Sequence, residues 1–193
     1  VARYAIQGVG AAVALAMVVS YTATYARLND YLQEYLSGSE LIAENTTVLP
    51  LCFTHRGYDG GKFLSKRIGL FLHASGHIAA SRRLVELDNY EGNTTYFPVL
   101  FRNEVNPFRH MGTLEAQPPR VNIPRYVQNT GGHVDYVLVW NIRDSQREHR
   151  DTVSILRQLE DGYHLIHTSE PRGMMQLYRR NDLATDAAGP ADG

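Results

Sequence analysis

The residues best suited to chemistry crowd into one stretch, Arg67 to Phe97 (RIGLFLHASGHIAASRRLVELDNYEGNTTYF). His73 and His77 stand four apart, the spacing at which two imidazoles on one helix face chelate a single metal ion. The residue after His73 is Ala74, so the glutamate that serves as general base in zinc hydrolases of the HExxH type is missing. Asp88, Glu91 or His110 could supply a third ligand, and no spacing rule selects among them. Arg82 and Arg83 follow, and then Asp88, Asn89, Tyr90 and Glu91. Two carboxylates three apart suit acid–base work or a bound cation. The same residues also start turns by bonding their own backbone, and the two arginines could neutralise them in an internal ion-pair network. The stretch therefore defines a candidate binding surface of His73, His77, Arg82, Arg83, Asp88, Asn89, Tyr90 and Glu91. It assigns no catalytic residue and no cofactor, and a metal enters only in the alternative built on His73 and His77.

Other motifs carry less. Cys52, the single cysteine, lies in an apolar run, where a thiol is a small buried hydrophobe with a raised pKa rather than a nucleophile. Gly8-Val9-Gly10 opens like a dinucleotide loop, but its sixth position is Val13 and no strand precedes it. Gly60-Gly61-Lys62 is a fragment of a phosphate loop. Asn45-Thr46-Thr47 and Asn93-Thr94-Thr95 match the glycosylation acceptor pattern, which is short enough to be incidental. No Ser-His-Asp or Cys-His arrangement is recognisable.

The elements that position these residues follow from the rest of the chain. It has 193 residues, 44% of them hydrophobic, and a net charge of -1, which fits one domain plus an additional segment. Near-neutral charge argues against a nucleic-acid partner. Residues 4–26 contain no charged side chain and are bracketed by Arg3 and Arg27, with Tyr4, Tyr21 and Tyr25 at the flanks. As a helix this run is about 34 Å long, against a bilayer core of about 30 Å. Tyrosines near both ends suit the interfacial belt. These residues are expected to contact membrane lipid; a buried helix of a soluble protein is the competing reading. Because the chain starts at Val1, it is expected to be part of something longer or to be processed.

Beyond Arg27 the pattern turns amphipathic, with Leu28, Leu32, Tyr35 and Leu36 on one face and Asp30, Gln33 and Glu34 elsewhere. A short helix is plausible over 39–44. Thr46 to Thr54 reads as a buried strand, with Pro50 pointing to an edge or a bulge. A glycine-rich loop spans 55–62, and Phe63 to Arg83 is expected to contain a helix, most clearly from Phe71 onward. Strands are expected over 84–87, 96–102 and 134–141, the last being the strongest. Residues 103–125, with four prolines, read as a long irregular connection. A helix over 147–160 leads into two strands, 163–169 and 174–179, paired as a hairpin. Strands alternating with helices predict an α/β fold: an N-terminal helix, then a compact α/β domain with a mixed sheet ending in an antiparallel hairpin. The expected division is 1–36 for a last transmembrane helix and its amphipathic extension, 37–180 for an extracytoplasmic α/β domain, and 181–193 for a disordered tail.

The run FLHASGHIAA through LDNYEGNTTYFPVLFR, the strand DYVLVWN and the closing YHLIHTSEPRGMMQLYRR together resemble the C-terminal regions of large bacterial membrane proteins related to the GT-C class of lipid-linked-sugar glycosyltransferases. The resemblance covers roughly residues 10–180 and lies in layout and phrases, without a catalytic motif. It implies a bacterial inner-membrane protein with a periplasmic domain. The class carries its catalytic acid between early transmembrane helices, so no catalytic position transfers to this chain. The implied role is non-catalytic: to shape or cover the substrate cleft, meeting a lipid-linked sugar or acceptor through the parent protein. The rivals are a membrane-anchored metal-dependent hydrolase using His73 and His77, and a soluble α/β ligand-binding domain.

Overall fold

The computed structural model describes residues 2–183, with side chains from residue 7 onward. Its first element, α1 (Ala2–Leu36), is one 35-residue helix with no proline to break it. Its apolar part has a mean hydropathy of 1.6 with none of it buried, so the helix is long and apolar enough to cross a membrane. Val13, Leu15, Val18 and Tyr21 stand exposed there, whereas Tyr31 and Tyr35, further along the same helix, are buried in the domain.

Next come β1 (Thr47–Cys52), a ribbon of β2 (Tyr58–Asp59) and β3 (Lys62–Phe63), α2 (Ser75–Arg82) and β4 (Val85–Glu86). They are followed by α3 (Pro107–His110), a second ribbon of β5 (Gly112–Thr113) and β6 (Arg120–Val121), α4 (Ile123–Thr130) and β7 (Tyr136–Trp140). The chain closes with α5 (Asp144–Arg147), α6 (Arg150–Gly162), β8 (Tyr163–Thr168) and β9 (Met175–Arg180). Five strands make one sheet in the order β4-β1-β7-β9-β8. β4, β1 and β7 are parallel, and β9 and β8 are antiparallel to their neighbours. The domain is thus α/β with a mixed sheet ending in an antiparallel hairpin.

Side chains alternate across the central strands and build a core on each face. Leu49, Leu51, Val137 and Val139 meet Ile123 and Tyr126 of α4 and Ile155 and Leu159 of α6. On the other face Val48, Cys52, Leu138, Trp140 and Leu177 meet Tyr31 and Tyr35 of α1 and Ile78 of α2. Tyr35, Phe71 and Trp140 stack as an aromatic trio, with centroids 4.7 to 6.1 Å apart, which welds α1 to the sheet.

Pro50 sits in a strand with a neighbour on each side, but β4 pairs only with Thr47 and Val48. At Pro50 that flank is already an edge, where a missing N–H costs little. Two expectations are corrected. Residues 96–102 form no strand; Tyr96, Val99 and Leu100 project outward, because β4 is too short to offer them a partner. The 103–125 connection is less irregular than its prolines suggest, and it ends in α4. Asn122 caps that helix by accepting from Arg125 N at 2.8 Å, and Pro124 occupies the first turn, where its lost N–H is harmless. The tail expected to be disordered lies, from residue 184 on, outside the described residues.

Candidate functional site

After β1 the chain crosses to β4 on one side and only later returns to β7 on the other. Loops leaving the carboxyl ends of β1 and β7 therefore diverge, which is where open α/β sheets form ligand crevices. Here the two loops are laced together by Asn141. Its Oδ1 accepts from Tyr58 N at 2.7 Å and its Nδ2 donates to Tyr58 O at 3.0 Å. Asn141 adopts φ +54°, a left-handed conformation that asparagine tolerates better than most residues. Gln146 reinforces the clasp, with its Nε2 donating to Phe53 O at 3.0 Å.

Between the loops lies a cavity of about 330 Å³ lined by Tyr58, Asp59, Gly60, Asn141, Arg143, Arg147 and Arg172, among others. Arg172 donates to Glu34 at 2.9 Å, lies 3.5 Å from Asp59, and places its guanidinium 4.2 Å from the Tyr31 ring centroid. Arg147 pairs with Asp144 at 3.2 Å. Arg143 Nε is buried with no hydrogen-bond partner among the described residues, and the guanidinium lies 5.7 Å from the Tyr58 and Phe63 ring centroids. A guanidinium held by aromatic rings with its fork unspent is suited to a phosphate or carboxylate oxygen.

Glu34 anchors this rim. The amphipathic pattern assigns it to the polar side of α1, yet it is only 3% exposed. Its Oε1 accepts from Ser169 Oγ and Met174 N, and its Oε2 from Arg172. Burial of a carboxylate is sustainable because every one of these donors is aimed at it.

A second polar cluster lies at the carboxyl end of β4. Ser75 Oγ donates to the Glu86 carboxylate, and burial pushes Glu86 up while Ser75 and His73 pull it down. Asp88 is buried, and its Oδ1 has no hydrogen-bond partner among the described residues. Burial, helped by the charges of Glu115 and Glu86, pushes Asp88 up to about 8. His55, a neighbour of His73, is fixed by Gln117, whose Oε1 accepts from the His55 backbone and whose Nε2 lies 3.0 Å from its Nδ1. Burial, then the neighbouring His73, lowers the His55 pKa. In this cluster burial favours the neutral form of each group: protonated for Glu86 and Asp88, deprotonated for His55.

The structure splits the sequence-derived surface in two. His73 lies in the turn before α2 with its ring 4.9 Å from that of Tyr90, and Asp88, Asn89 and Glu91 are close by in the chain. Asn89 caps the short helical turn 90–93 by accepting from Glu91 N, which is a local structural task. His77 is exposed one turn into α2. Arg82 and Arg83 end α2 at the opposite, amino edge of the sheet. There Arg82 donates to Ile42 O and Glu40, and Arg83 pairs with Glu44 at 2.9 Å. No group of three His, Cys, Asp or Glu side chains among the described residues is arranged to hold a metal ion.

The cavity residues Asn141, Arg143 and Arg172, with Glu34 holding Arg172, were not legible as a site, since they come from three distant segments. Only Asn141 left a signal, as a polar residue ending the strongest strand. In comparisons with known proteins, no family model, no curated protein and no solved structure matches the chain.

Proposed function

We propose that the chain is a membrane-anchored, non-catalytic domain of a glycosyltransferase-like integral membrane protein, carried on the extracytoplasmic side of a bacterial inner membrane. In this reading α1 crosses the bilayer and the α/β domain covers a substrate cleft at membrane level. The arginine-lined cavity then offers a surface for an anionic group of the substrate or acceptor. The GT-C character of the parent rests on the resemblance in the sequence.

One observation carries the anchoring. The unburied apolar turns of α1 run without a break into turns locked in the domain core by Tyr31, Glu34 and Tyr35. In water such an apolar helix would be a large exposed hydrophobic surface, which soluble proteins rarely carry. The test is to express the chain in a bacterium and fractionate the cells. Recovery in the membrane pellet, resistant to carbonate and released by detergent, is expected. Recovery in the soluble fraction without detergent would overturn the anchor. For the parent reading, membranes bearing the full-length protein should lose sugar transfer from a lipid carrier when 37–180 are removed; unchanged transfer would sink it.

A further inference from the structure

The direction of α1 across the sheet decides which side of the domain meets the bilayer. Tyr31 donates at 2.8 Å to Asp59 in β2, whose Tyr58 is bonded to Asn141 just past the end of β7. Glu34 meets Ser169 and Met174 beside the end of β7. Further on, Gly38 lies against Met175 and Leu177, and Ala43 N donates to the hydroxyl of Tyr136 at the start of β7. The helix therefore runs from the carboxyl edge of the sheet to its amino edge, and its apolar part projects beyond the carboxyl edge. From Arg27, where the charge-free run ends, to Tyr31 is about 6 Å along the helix, and to Glu34 about 10 Å. The polar headgroup layer is itself several ångströms thick, so the loops of this edge sit at its depth.

The loop from Thr54 to Phe71 leaves and returns at that edge, closed by Phe71 N donating to His55 O at 2.9 Å. Its tip is apolar and exposed: Ile68 is 67% exposed and Phe63 37%. Around it stand Lys62, Lys66 and Arg67, all exposed, while Arg56 folds over the Phe63 ring at 3.7 Å. The loop's single carboxylate, Asp59, is already engaged by Tyr31 and Arg172. A chain of net charge -1 thus concentrates positive charge and apolar tips on the edge facing the membrane.

Resting on the membrane-anchor reading, we propose that this loop is a second membrane contact, which inserts Ile68 and Phe63 at the interface and binds the phosphates of anionic lipids through Lys62, Lys66 and Arg67. Apolar insertion joined to basic headgroup contacts is the usual physics of peripheral docking. The contact would hold the carboxyl edge, with its cavity, against the bilayer and remove the swing that a lone helix permits.

The test uses the full chain in lipid nanodiscs. Ile68→Cys is labelled with an environment-sensitive fluorophore, and Leu165→Cys, exposed on β8 at the far edge strand, is the control. Buried Cys52 reacts little in the folded chain, and the wild-type chain taken through the same labelling sets the background. With phosphatidylglycerol discs carrying headgroup spin labels, quenching at Ile68→Cys is expected to exceed that at Leu165→Cys by at least about twofold. The excess should collapse in discs of phosphatidylcholine alone, and in the background of Lys66→Glu with Arg67→Glu. Equal quenching at the two positions in discs that contain the chain overturns the proposal. So does an excess indifferent to lipid charge and to the two charge reversals. A chain that fails to enter discs at all instead overturns the anchor, an outcome read directly from its absence in the disc peak.

Discussion

The two edges of the sheet treat charge in opposite ways. At the amino edge charges are answered by partners across chain segments. Arg82 meets Glu40, Arg83 meets Glu44, and the Asp135 carboxylate accepts from Thr47 N and Oγ1. At the carboxyl edge polar groups are buried with bonds left unmade, as at Asp88 Oδ1, His55 Nε2 and the hydroxyl of Tyr35. Native interiors satisfy nearly all such groups, so a concentration of exceptions marks a place shaped by something other than stability. The amino edge fastens the fold, and the carboxyl edge holds what a ligand or a bilayer could use.

The largest expected effect comes from a buried carboxylate at the carboxyl edge with both oxygens answered. Glu34→Ala strips three donors of their acceptor and leaves Arg172 facing a gap. Removing one partner of a buried, hydrogen-bonded ion pair should cost about 4 kcal/mol, read by urea denaturation in detergent. A cost below about 1 kcal/mol would mean that Glu34 is not the clamp between α1 and the 169–174 loop.

Asp88 should show the reverse sign. Its folded pKa of about 8 lies well above the ordinary carboxylate range, so the folded state holds its proton more tightly. Stability from this group is complete below about pH 4 and is lost as pH rises towards 8. Asp88→Asn removes the titration, and should gain stability over the wild type as pH rises to about 8.5, with the difference vanishing near pH 4. His55, whose pKa is lowered, contributes stability above its unfolded pKa that is lost as pH falls, the opposite sign to Asp88. A pH-independent difference would show that Asp88 is already ionised in the fold.

A middle effect tests the cavity wall. Asn141→Ala loses both bonds to the Tyr58 backbone and places a less tolerant residue at φ +54°. It should cost about 2 kcal/mol and loosen the cavity, read as faster hydrogen exchange at Tyr58.

Much of the scaffold was legible in the sequence because it depends on short-range patterns. The charge-free run 4–26 and the apolar run at 136–140 announced themselves by length and composition. What was not legible depends on long-range closure. Glu34 reads as a surface residue in the helix pattern, and only the arrival of Ser169, Arg172 and Met174 explains its burial. Tyr96 to Arg102 has strand chemistry but no partner, and pairing is a property of the fold rather than of the segment. The 73–91 stretch looked like one site because its residues are neighbours in sequence. Yet α2 spans the sheet from edge to edge and carries Arg82 and Arg83 away from His73.

The smallest expected effect sharpens the contrast from the amino edge. Arg83 ends α2 at φ 55° and ψ 47°, the left-handed position that glycine fills without strain. Its side chain is 74% exposed and, among the described residues, its ion pair is with Glu44. Such a surface pair is worth about 0.5 kcal/mol, whereas the left-handed conformation costs a non-glycine residue about 1 kcal/mol. Added flexibility of glycine in the unfolded chain takes back part of that gain. Arg83→Gly should therefore leave stability within about 0.5 kcal/mol of wild type, read by the same urea titration. A loss above about 2 kcal/mol would mean that the Arg83–Glu44 contact is doing more than a surface ion pair can. The amino edge would then carry a structural demand as sharp as that of Glu34, and the contrast between the two edges would fail at its plainest point.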